Sequence, residues 1–107
     1  MIGNMGGRID ETKINIYEAA VAEMRRCLQD PGAVPVRDGG VKVILDAKES
    51  PSRVSVCYFF GRLCELRGKN DDAKWWYGKA IDTLDWNSSC RPMAAMGLRR
   101  MGEQRFH

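Results

Sequence analysis

Residues 52–81 carry two helical patterns separated by little more than Gly68, and this constrains the fold more than any other feature. The first, RVSVCYFFGRLCELRG, has apolar residues almost all the way round a helix, with Ser52 as the expected N-cap and Gly68 as the stop. The second begins at Asn70, Asp71 and Asp72, which cap it and place two acids at its positive end. It then presents Ala73, Tyr77, Ala80, Ile81 and Leu84 as one inward stripe. A connection this short leaves the two helices to lie antiparallel and side by side. The first, apolar on most sides, must be covered from more than one direction, which makes it the central helix.

Small residues sit where such helices meet. Gly61, Ala73 and Ala80 allow close approach, and Tyr77 is the aromatic that fills the space a glycine leaves. Gly61 follows Phe60, and 36 positions later Gly97 follows Met96, so the unit is partly repeated. Phe60, Gly61, Gly68, Ala73, Tyr77, Lys79, Ala80 and Ile81 together resemble the tetratricopeptide repeat. The resemblance covers one full repeat from 54 to about 87, a half repeat over 90–103, and a second helix of a preceding repeat over 40–51, through Ile44, Ala47 and Pro51. Cys57 and Cys64 stand where that family has larger side chains, and Trp86 stands where a proline commonly closes the repeat. The implied fold is all-α: antiparallel hairpins in a right-handed, tetratricopeptide-like array of about five helices. Because about three repeats are normally needed to bury a continuous core, the resemblance also implies a mate, either a homodimer or an obligate partner over the exposed end.

The flanks follow from periodicity. Residues 1–9 hold Gly3, Gly6 and Gly7 and read as a flexible tail, leaving 10–107 as a single helical domain. Over 10–30, Ile14, Tyr17, Val21, Met24 and Leu28 recur at spacings of three and four, which predicts an amphipathic helix with that stripe inward. Asp10 or Thr12 caps it and Pro31-Gly32 stops it. A loop rich in proline and glycine occupies 31–40. Residues 41–50 suit a helix through Val41, Ile44, Leu45 and Lys48, although 34–45 would also fit a short β-ribbon about Asp38-Gly39-Gly40; helix is preferred, since an isolated ribbon is poorly stabilised. A last helix over 89–104 puts Met93, Met96 or Gly97, Arg100 and Met101 on one side, with Pro92 in its first turn.

Composition narrows the class of function. A chain of 107 residues, 44% hydrophobic and 29% charged, can build one core without metals or crosslinks. Charge interrupts every apolar run well short of the roughly 18 residues a membrane span needs, and no secretory or myristoylation signal opens the chain, so a cytoplasmic protein without membrane attachment is expected. Asn87-Ser88-Ser89 then reads as a helix-capping loop rather than a glycosylation site. Cys27, Cys57, Cys64 and Cys90 lack Cys-x-x-Cys spacing, and the sole histidine is His107, which argues against structural zinc. Cys57 and Cys64, two helical turns apart, are too distant to form a disulfide and are expected as buried thiols. No catalytic triad, nucleophile elbow or phosphate loop appears, so neither an enzyme nor a bound cofactor is expected.

Two binding readings remain. By position, the groove that the repeat family uses for peptides would present Tyr58, Arg62 and Glu65, with Arg91 and Leu98 from the next helix. The lysine and asparagine pairing with which some members clamp a terminal carboxylate is absent. Trp76 flanks the inward stripe and is expected to seal the helix pair, whereas Trp75 lies almost opposite, where it either meets another chain or lies flat on Lys79. The first reading is therefore an adaptor or chaperone that binds a protein segment and self-associates. The second rests on charge: residues 1–89 balance thirteen basic against thirteen acidic residues, while 90–107 hold Arg91, Arg99, Arg100 and Arg105 against Glu103. Such a C-terminal helix could track nucleic-acid phosphates with Trp75 or Trp86 stacking on bases, or simply offset its own helix dipole.

Overall fold

The computed structural model describes residues 11–83 and 89–102. The expected tail, the Asp10 cap, Leu84, Trp86, Arg105 and most of the expected capping loop lie outside them, as does the side chain of Thr12. The described residues fold as five α-helices: α1 (Glu11–Leu28), α2 (Lys42–Asp46), α3 (Pro51–Leu66), α4 (Asn70–Ile81) and α5 (Cys90–Arg100). A 3₁₀ turn, Gly39–Val41, leads into α2. Helix rather than ribbon forms here because Val41 and Ile44, one helical turn apart, are buried, whereas Val43 between them is exposed.

α3 and α4 form the most extensive contact, with α5 packed on both and α1 on the other side of α3, so α3 is central as its all-round apolar pattern requires. Its start lies two residues before the sequence expectation: Ser50, not Ser52, is the N-cap, its hydroxyl accepting from the Ser52 N–H at 3.3 Å, and Pro51 takes the first helical position. Its end depends on Gly68, whose φ of 76° is the left-handed conformation an L side chain resists. There the Lys69 N–H bonds the Cys64 carbonyl at 2.9 Å and the Gly68 N–H that of Glu65 at 3.1 Å, which closes α3 and aims α4 back along it. In α4 the cap position falls on Lys69, without a side-chain bond, and Asp71 and Asp72 serve the first turn by charge.

Tyr77 occupies the centre of this packing. A Cβ built on Gly61 would stand 2.6 Å from its ring, and a Cβ built on Gly97 would stand 2.6 Å from it too, so the ring is held between two bare glycine backbones on α3 and α5. Ala73 and Ala80 are fully buried on the same face of α4. Trp76 is also fully buried, edge-on to Phe60 with ring centroids 4.9 Å apart, and is the structural member of the tryptophan pair.

Arginines, rather than apolar contacts alone, tie the ends of the elements together. Arg53, 2% exposed, donates to the Leu45 carbonyl at the end of α2, and to the Lys79 carbonyl and Thr83 hydroxyl at the end of α4, at 3.1, 2.6 and 2.7 Å. Those are the negative ends of two helices, a suitable place for a buried guanidinium. Arg67 reaches the carbonyls of Cys27, Asp30 and Ala33, and Arg26 that of Val34, so the proline-rich loop is pinned to α1 and α3. Glu23, on the buried side of α1, accepts from the Val36 N–H at 2.8 Å and from Arg26 at 2.6 Å. Burial raises its carboxyl, but these bonds outweigh it and hold Glu23 below its ordinary value.

Candidate docking groove

The helix at the N-terminus overturns the plainest sequence expectation. Ile14, Tyr17, Val21 and Leu28, expected inward, are 40, 43, 49 and 68% exposed, while Ile16, Ala20, Glu23 and Cys27 face the core. Both sets have helical spacing. α1 therefore carries two adjacent apolar stripes, and the smaller side chains were taken for the contact because they bring α1 close to the loop and to α3. Met24, at the border, is half-buried.

The larger stripe forms one wall of a groove of about 510 Å³. Tyr17, Val21, Met24 and Leu28 come from α1, and Val56 and Phe59 from α3. Phe59 is 56% exposed, on a helix otherwise covered on most sides. A shallower depression continues from the groove past Tyr17 and Val21 to Glu18 and Arg25. The Lys13 ammonium lies 6.0 Å from the Tyr17 ring centroid. Among the described residues neither Glu18 nor Arg25 forms an ion pair. An apolar trough with charge along one rim is suited to an amphipathic helix, whose apolar face it would cover while the rim sets orientation.

The positions expected to bind a partner are placed differently. Tyr58 and Leu98 are 8 and 1% exposed and belong to the core cluster, so neither presents a groove surface. The resemblance placed them along a groove, but α5 packs against α3 and α4 through its buried Ala94, Gly97 and Leu98. For the same reason Gly97, rather than Met96, lies on the buried side, and Met93 and Met96 are exposed. Arg62 and Glu65 do come together, at 3.2 Å, but Glu65 is committed within the chain: the Tyr77 hydroxyl donates to it at 2.6 Å and Arg100 at 3.0 Å. Arg100 foremost, then Tyr77, outweighs partial burial and draws the Glu65 carboxyl down to about 2. Burial and the bond to Glu65 push the Tyr77 phenol well up. Arg91 donates to the Thr83 carbonyl beyond α4. Trp75 is half-buried, edge-on to Trp76, with the Arg37 guanidinium 4.5 Å and the Lys79 ammonium 5.0 Å from its ring centroid. Of the two expectations for Trp75, the geometry shows cover within the chain, by Lys79 and by Arg37, which a salt bridge to Asp72 of 3.1 Å positions.

All four cysteines are free thiols, and burial raises Cys57 and Cys64 to about 12. Among the described residues no cluster of three potential metal ligands occurs, and no helix is long and apolar enough to cross a membrane. Fold and surface together define a packed array of short helices with an apolar groove on its α1 side. No family model, curated protein or solved structure matches the chain.

Proposed function

We propose that this chain is a small, non-enzymatic protein-interaction module of tetratricopeptide-like construction, working in the cytoplasm, that docks a helical protein segment in the groove between α1 and α3. One observation carries the reading: Tyr17, Val21, Leu28 and Phe59 are large, apolar and exposed around a single trough. Scattered apolar residues need no explanation, but a contiguous set around a concavity marks a binding surface. The docking face is then not the one that the repeat family uses, because Tyr58, Glu65 and Leu98 are consumed by internal packing. The nucleic-acid reading has less support, since Arg100 is spent on Glu65 and Arg91 on a backbone carbonyl.

The test is crosslinking in cell extract with the wild-type chain beside Phe59→Glu and Val21→Glu. Both residues are exposed, so the fold should survive, and bound protein should be lost from both variants. Capture that is indifferent to the two substitutions, or absent from the wild type, refutes the groove as a docking site. Binding to single-stranded RNA that fades with salt and with Arg99→Ala would favour the second reading instead.

A further inference from the structure

Resting on that reading, we propose that the occupant of the groove is the α1 helix of a second copy of this chain, paired antiparallel about a two-fold axis. The exposed stripe is not merely amphipathic. Ile14, Tyr17, Val21, Met24 and Leu28 alternate at spacings of three, four, three and four, the seam of a coiled coil, and four of the five are 40% or more exposed. A seam of this kind fits another helix of like spacing, and α1 offers such a helix to its own copy.

Charge supplies the orientation. Glu18 and Arg25 each follow a seam residue, Tyr17 and Met24, and flank the seam on the side away from Ala20 and Cys27, which face the core. They lie seven residues apart, about 10 Å along the helix. In an antiparallel pair that sets Val21 against Met24 and Tyr17 against Leu28 of the other copy, Glu18 of each chain comes beside Arg25 of the other, twice by symmetry. In a parallel pair the same flank of the two copies falls on opposite sides of the seam, so Glu18 and Arg25 of one chain would not meet those of the other. The other flank of the seam borders α3, so Val56 and Phe59 of each chain cover the incoming helix from that side. Both grooves are filled at once, as a two-fold interface requires.

The 107-residue chain, of 12.1 kDa, is examined by sedimentation equilibrium from about 1 to 300 µM, with circular dichroism as the check on folding. A dimer mass should develop across that range. Glu18→Arg or Arg25→Glu alone should weaken association about tenfold or more, whereas mixing the two variants, or combining both changes in one chain, restores it. Val21→Glu should leave a helical monomer. A monomer throughout the range, or a dimer indifferent to both charge reversals, overturns the proposal. If the wild type stays monomeric yet captures another protein in a way that Val21→Glu abolishes, self-pairing fails while the docking groove stands; if no capture depends on Val21, both fail.

Discussion

Gly61→Ala tests the packing on which the hairpin depends, because two effects of opposite sign meet at one atom. In the interior of a helix an alanine is favoured over glycine by about 1 kcal/mol. Against this, the new methyl group would stand 2.6 Å from Cδ1 and from Cε1 of Tyr77. An overlap of that size is tolerated where the neighbour is a flexible chain end. Tyr77 is the opposite: Gly97 presses on its ring from α5, its hydroxyl is bonded to Glu65 at 2.6 Å, and the Tyr58 ring lies 5.9 Å away. The ring can yield only if α3 or α5 moves. Overpacking in a confined core costs about 1–3 kcal/mol, and pinning from both sides puts this case near the top of that range. The net expectation is a loss of about 1–2 kcal/mol, read as a fall in the urea midpoint at unchanged slope. Gly97→Ala should behave alike for the same reason. A background of Tyr77→Leu, which removes the ring, should abolish the penalty and turn Gly61→Ala neutral or stabilising, so the two changes are strongly coupled. If Gly61→Ala raises the midpoint in the wild-type chain, the ring is not confined and the account of the hairpin is wrong.

Three further outcomes follow from the same geometry. Arg53→Ala strands the Leu45 carbonyl and leaves the Lys79 carbonyl and the Thr83 hydroxyl with only each other, and should cost about 2–3 kcal/mol by urea unfolding, against less than about 0.5 kcal/mol for Arg25→Ala at the surface. Glu65 has a folded pKa of about 2 against an ordinary 4.5, a depression, so its contribution is full above about 4.5 and is lost as the pH falls toward 2; thermal melts across that window should show a decline that Glu65→Gln flattens, and an unchanged profile in the variant would refute the assignment. Alkylation of the native chain at mild pH should label the half-buried Cys90 before Cys57 and Cys64, whose thiols are buried and raised to about 12, and mass spectrometry that finds Cys57 labelled first would contradict the core described above.

Much of the hairpin was readable from local pattern. Gly68 had to end α3, Tyr77 had to find a glycine, and Trp76 had to be interior, because each follows from spacing within one or two helices. The docking side was not. α1 holds two stripes of equal periodicity, and reading the bulkier one as core follows the usual weight given to side-chain size, whereas the contact went to Ile16, Ala20 and Cys27. Spacing carried no signal to separate them, since Ile16, Ala20, Glu23 and Cys27 alternate at four, three and four just as the outer stripe does. The roles of Arg53 and Arg67 had no sequence signal at all, since their acceptors, backbone carbonyls and the Thr83 hydroxyl, lie 8 to 40 residues away.

By itself, then, the order of residues determined that this chain forms helices, where α3 stops and turns back, and which small residues let α4 lie against it, since all of these are settled by neighbours within a few turns. Only the tertiary arrangement decided which face of α1 is core, that α5 buries Tyr58 and Leu98, and that Glu65 is held by Arg100 35 residues away. The reason is geometric: a helix with more than one apolar face has no local preference between them, and the choice falls to whichever face lets the remaining helices close over α3.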